Sequence, residues 1–144
     1  MAIRSIDGIL NAAVDADHGA EIPAALEEVT AEIDEYRHLG PNWDGEGALA
    51  IEANVAARTK NLLRLIAANA RLLDLSWQNP SVVPNPGGGL ELTWEKGGRW
   101  AMLVVQPGQS KIGCAMQESE AESQFQLEIR RSAVDKALWA LRAQ

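Results

Sequence analysis

The hydrophobic pattern changes period near the middle of the chain. Before about residue 75 it repeats at helical spacing, and after residue 90 it alternates. Residues 3 to 14 place Ile3, Ile6, Ile9 or Leu10, and Ala13 on one helical stripe. The acidic, glycine-containing stretch DADHGAEIP then predicts a loop, with Pro23 suited to the first turn of the next helix. From Pro23 to about His38, Leu26, Val29, Ile33 and Tyr36 form an apolar stripe, and Leu39-Gly40-Pro41 ends it. A longer helix is predicted over 51 to 74, burying Ile51, Val55, Leu62, Leu65, Ile66, Leu72 and Leu73. The segment SWQNPSVVPNPGGG excludes regular structure except a brief extended piece at 81 to 84.

Strand signals follow. LELTWE (90 to 95) alternates, Lys96-Gly97-Gly98 marks a tight turn, and RWAMLVVQ (99 to 106) returns. KIGCAMQ (111 to 117) and FQLEIR (125 to 130) complete four antiparallel strands in a meander. Ser132 and Asp135 have the spacing of a capping box opening a last helix, with Val134, Ala137, Leu138 and Leu141 inward. The expected architecture is a single α+β domain over 1 to 144. It has a helical half over 1 to 75, a four-stranded antiparallel sheet over 81 to 130, and a C-terminal helix over 132 to 143. The helices pack on one face of the sheet.

The expected core face of the sheet carries Leu92, Trp94, Trp100, Met102, Val104, Ile112, Cys114, Met116, Phe125, Leu127 and Ile129. That assignment turns Ala101, Leu103 and Val105 outward beside Gly113 and Ala115, as a small apolar strip. Either the 75 to 89 loop or the N-terminal helix covers this strip, or a partner or second copy does.

Composition narrows the class. The 144 residues are 47% hydrophobic and 23% charged, as in ordinary globular chains. One cysteine, Cys114, excludes an internal disulfide and suits a reducing compartment. The first ten residues lack the apolar core of a secretory signal, and no apolar run is long enough to span a bilayer, so a cytoplasmic location is expected. A formal net charge of -7 argues against direct nucleic-acid binding, which relies on Lys and Arg, and leaves room for a basic protein partner.

The chemistry-bearing candidates are few. GPNWDGEGALA (40 to 50) places Trp43 between Asn42 and Asp44 among glycines. Trp43 can anchor the loop, and Asn42 and Asp44 can bond local backbone, so a structural joint explains every residue. A phosphate cradle is disfavoured by Asp44 and Glu46, which crowd the amides. A divalent cation on Asp44, Glu46 and Asn42 has oxygen ligands but no established spacing. Asp15, Asp17 and Glu21 around His18 fall short of a calcium loop, because Ala20 replaces its glycine and Leu26 its final glutamate. His18 and His38 stand in no nucleophile motif, Cys114 reads as a core residue, and no zinc cluster or nucleotide fingerprint occurs. Glu91 and Glu95 share a strand face about 13 Å apart, too far for a glycosidase pair, and Glu95 is expected to face Arg99 across the turn.

Two segments together carry a resemblance. Leu39-Gly40-x-Asn42-Trp43-Asp44-Gly45-x-Gly47-Ala48 is followed by a helix. Pro80-x-Val82-x-Pro84-x-Pro86 and Gly89-Leu90-x-Leu92-x-Trp94-Glu95 come after it. These resemble a scattered group of small bacterial proteins of no assigned activity. In that group an NWDG loop precedes a helix, and a Pro-x-Pro turn leads into a strand ending in Trp. The resemblance covers about residues 39 to 105. Gly87 stands where the group's second turn carries an acidic residue. The resemblance implies a small cytoplasmic accessory protein and no mechanism.

The expected function is a non-enzymatic binding or regulatory protein, such as the inhibitory member of a pair (antitoxin-, immunity- or anti-defence-like). It would meet its partner through Trp43, Asp44, Glu46, Ala101, Leu103 and Val105, with no cofactor. Two alternatives stand beside it: a metal-dependent enzyme built on Asp44 and Glu46, and a self-associating structural protein that forms a homodimer.

Overall fold

The computed structural model describes residues 23–119 and 124–143. The expected helix over 3 to 14, and the loop with Asp15, Asp17, His18 and Glu21, lie outside the described residues.

Helix α1 (Ala25–Tyr36) buries Leu26, Val29 and Ile33, the stripe its spacing predicts. Leaving the helix, the chain meets Gly40-Pro41, where the missing amide of Pro41 forbids another turn. Helix α2 (Ala53–Leu72) buries Val55, Ala56, Leu62, Leu63, Ile66, Ala67 and Ala70. Buried Thr59 returns its hydroxyl to the Val55 carbonyl at 2.7 Å. The helix ends with Asp74 in a left-handed conformation (φ 56°). There the Leu75 amide donates to Ala70 O (2.8 Å) and the Asp74 amide to Arg71 O (3.0 Å). That reversal leaves Leu72 and Leu73 exposed, where the helical period had placed them inside.

Five antiparallel strands follow in simple meander order, β1 (Ser81–Pro84), β2 (Leu90–Lys96), β3 (Arg99–Val105), β4 (Ile112–Glu118) and β5 (Gln126–Glu128). The sheet thus has one strand more than expected. The extended piece at 81 to 84 pairs with β2 in register Val82 to Leu92. Its Pro84 is tolerated because β1 is an edge, where a missing donor breaks no inner ladder.

The register corrects the expected sheet faces. The turn between β2 and β3 holds two residues, Gly97 (φ 56°) and Gly98 (φ 82°), both left-handed as a twist-matched hairpin requires. Lys96 therefore pairs with Arg99, Trp94 with Ala101 and Leu92 with Leu103, and paired residues share a face. Glu95 consequently sits opposite Trp100 and not Arg99. Across β4, Ala101 meets Met116 and Leu103 meets Cys114. Ala101, Leu103 and Val105 are 0% exposed in the core. Trp100, Met102 and Val104 point the other way. On β5, Cys114 faces Gln126 and Ile112 faces Glu128, so Leu127 turns outward, and Phe125 and Ile129, which flank the strand, are exposed as well.

Helix α3 (Arg130–Leu141) closes the inner face against β2 to β5, while α1 and α2 cover β1 to β3. It begins two residues before the expected capping box. Ile129 is its N-cap without a side-chain bond, and Ser132 and Asp135 lie inside the helix. Its C-terminal carbonyls are satisfied from the sheet: Lys96 Nζ donates to Leu141 O (2.9 Å) and Arg99 to Trp139 O (2.7 Å). Cations at that end also suit the helix dipole. Arg99 stacks 4.7 Å above the Trp139 ring and pairs with Glu118 at 3.1 Å.

The loop before β1 packs on the helix side. Trp77 meets Trp94 edge to face at 6.5 Å, and the Trp94 indole donates to Gln78 O at 2.8 Å. This loop does not cover the outer face. Among the described residues, all three helices pack on the opposite side of the sheet.

Candidate functional site

Two regions carry the candidates: the NWDG loop and the outer sheet face. In the loop, Asn42 (φ 62°), Gly45 (φ 77°) and Gly47 (φ 87°) adopt left-handed backbone, which explains asparagine and glycine at those positions. The Asn42 amide donates to Ala48 O (2.7 Å) and closes the loop, while Asn42 Oδ1 accepts from the Gly47 amide (2.6 Å). Asp44 Oδ1 accepts from the amides of Glu46 (2.8 Å) and Ala48 (3.0 Å). The half-buried Trp43 donates its indole N–H to Leu49 O at 2.9 Å. Four side-chain bonds thus hold the loop to itself.

The loop then docks on a second turn. The Leu49 amide donates to Pro86 O at 2.9 Å. In that turn buried Asn85 accepts from the amides of Gly87 and Gly89 through Oδ1, each at 3.0 Å. Its Nδ2 donates to Gln106 Oε1 at 3.0 Å. A third turn joins through Arg58 of α2, which donates to Gln106 O (3.1 Å) and Gln109 O (2.5 Å). Three turns and one helix therefore form a single hydrogen-bonded joint at the end of the sheet where β2 begins and β3 ends.

One oxygen of Asp44 serves two amides, Glu46 is exposed, and no group of three or more His, Cys, Asp or Glu among the described residues could hold a metal ion. Asn85, Arg58 and Gln106 escaped sequence reasoning. Asn85 had a signal in Asn-Pro-Gly-Gly-Gly, since asparagine commonly bonds amides two residues on. Arg58 read as helix surface, and no local pattern announces that it reaches across to another turn.

Of the expected partner surface, Trp43, Asp44 and Glu46 lie in this joint. Ala101, Leu103 and Val105 lie in the core and form no surface with them. An apolar surface exists elsewhere, on the outer sheet face. Its rows run Val83-Glu91-Val104-Gly113-Leu127, then Ser81-Thr93-Met102-Ala115, then Glu95-Trp100-Gln117, with Phe125 just before β5. Phe125 and Leu127 are 58% and 49% exposed, and Val104 and Ala115 are buried at the floor. The Phe125 ring lies against Gly113, filling the space a side chain there would need. A shallow cleft of about 560 Å³ lies at the hairpin end, bordered by Glu95, Trp100, Gln117 and Ser119.

Among the described residues, few titratable groups are perturbed. Burial pushes the Cys114 thiol up to about 11, with the Glu128 charge adding to it and Lys136 opposing it. The Lys60 ammonium, 2.7 Å from Asp34, holds that carboxyl below its ordinary value. The Tyr36 hydroxyl is raised, first by burial and then by its bond to Glu32. None of these groups adjoins the NWDG loop.

No described helix is long and apolar enough to cross a membrane. Comparison with protein-family models, with curated proteins and with solved structures finds no match.

Proposed function

We propose that this chain is a non-enzymatic protein-binding or regulatory protein, of the kind that holds a partner in check. The observation that carries this reading is the outer sheet face. Trp100 and Met102 of β3 and the exposed Leu127 and Phe125 at β5 lie on that face with no described element over them. The NWDG loop supports the reading from the other side, because Asn42 Oδ1, Asp44 Oδ1 and the Trp43 indole all bond its own backbone. In this reading the loop is the joint that fixes the sheet end, and the sheet face does the binding.

The test compares tagged wild type with Leu127→Lys in lysate of the source cells. Leu127 is half exposed, so its substitution leaves the melting temperature within about 2 °C. A stoichiometric protein retained by the wild type and lost by the variant is the expected result. Retention of the same protein by both would refute binding through this face.

A further inference from the structure

Resting on that reading, we propose that the outer face binds one short amphipathic helix of a partner protein, with its basic flank turned toward β2. Three observations select this occupant. The first is width. The apolar positions lie on β3, β4 and the β5 segment, two strand spacings or about 10 Å across, which matches the diameter of one α-helix. The second is length. Seven residues of β3 extend about 23 Å, the length of a helix of about 15 residues.

The third is charge. Glu91 and Glu95 stand on the outer side of β2, along one flank of the strip, about 13 Å apart. Helix positions seven or eight residues apart, about two turns, lie on one side of a helix and are about 11 to 12 Å apart, close enough for lysine side chains to reach both carboxylates. Cations at those positions would face both carboxylates while the apolar stripe meets Met102, Val104, Phe125 and Leu127. The Glu95-Trp100 cleft would receive one end of such a helix.

Other occupants fit less well. A second copy brings the same carboxylates and another net charge of -7. An anionic lipid surface meets the same repulsion.

The test uses two fluorescent 15-residue helical peptides with one leucine stripe, differing only in Lys or Glu on the flanks, titrated against the full-length protein by anisotropy. The Lys peptide is expected to bind with a micromolar Kd and the Glu peptide at least tenfold more weakly. Leu127→Ser and Phe125→Ser should each weaken the Lys peptide about tenfold at unchanged melting temperature. The Glu91→Lys/Glu95→Lys double variant should reverse the peptide preference.

Equal affinity for the two peptides, no binding, or indifference to Leu127→Ser would overturn the proposal. So would a concentration-dependent mass that Leu127→Ser abolishes, which assigns the face to a second copy. A tenfold gain in peptide affinity on Ile6→Glu/Leu10→Glu would overturn it too, by making the chain's own segment the occupant. Capture of a cellular partner through Leu127 without any binding of the Lys peptide would refute this helix while leaving the protein-binding reading intact.

Discussion

Replacing Asp44 separates a structural loop from one that serves a cation. Its Oδ1 accepts two backbone amides, that of Glu46 at an exposed position and that of Ala48 at a partly buried one. Amide bonds to a carboxylate contribute about 1.5 to 3 kcal/mol where water is excluded. Without the carboxylate the Glu46 amide turns to water at little cost, so the Ala48 amide dominates. Asp44→Ala should therefore cost about 1 to 2 kcal/mol. For a chain of this size that is about 3 to 8 °C in melting temperature. Asp44→Asn keeps an acceptor oxygen with a weaker bond and should lose about half as much. The assay is thermal unfolding followed by circular dichroism, with and without millimolar magnesium or manganese. Wild-type melting for Asp44→Ala, or an equal loss for Asp44→Asn, would refute the structural account. Stabilisation by metal that disappears in both variants would do the same, since a cation at a hundred times its Kd adds about 2.7 kcal/mol.

Four further outcomes follow from the same structure. Leu103→Ala should cost about 3 to 4 kcal/mol and Met102→Ala less than about 1, and denaturant titration showing the reverse would overturn the sheet register. Arg58→Ala removes two bonds to turn carbonyls and should cost about 2 kcal/mol, with faster amide exchange at Gln109 by NMR as its local signature. Cys114, buried with its thiol raised to about 11, should ignore a disulfide reagent at pH 8 until the chain unfolds. Asp34 has a lowered folded pKa, so its bond to Lys60 stabilises above the ordinary carboxylate value of 3.8 and is lost as pH falls through the folded value. Melting of wild type and Asp34→Asn should therefore converge in acid, and a gap that widens there would contradict the pairing.

The joint illustrates what a local reading can and cannot reach. Asn42, Gly45 and Gly47 announce left-handed backbone, and Trp43 announces an anchor, so a structural loop was legible from eleven residues. What the loop is joined to was not. Asn85 and Gln106 lie tens of residues away in sequence, Arg58 reaches turn carbonyls some fifty residues beyond it, and these bonds exist only because the sheet brings three turns to one end. The start of α3 shows the same limit. Ser132 and Asp135 have capping spacing, yet the chain is already helical from Arg130.

By itself the sequence determined the α+β class, the positions of α1 and α2, the β2–β3 hairpin and the antiparallel meander. Each of these depends on periodicity or turn chemistry within about twenty residues. The inner and outer faces of β3 depend on which residues the glycine turn pairs, and those of β5 were settled only in the tertiary structure. Both strands offer apolar side chains at odd and even positions or at the wrong parity, so alternation alone cannot choose between faces. The two-residue glycine turn sets β3 by pairing Trp94 with Ala101. β5 follows from its register with β4, in a place where the helix layer presents Lys136 to Glu128 and so admits polar residues inward. A shift of one residue exchanges every side chain between core and solvent. That parity put Ala101, Leu103 and Val105 in the core and Trp100, Met102 and Leu127 on the outer face.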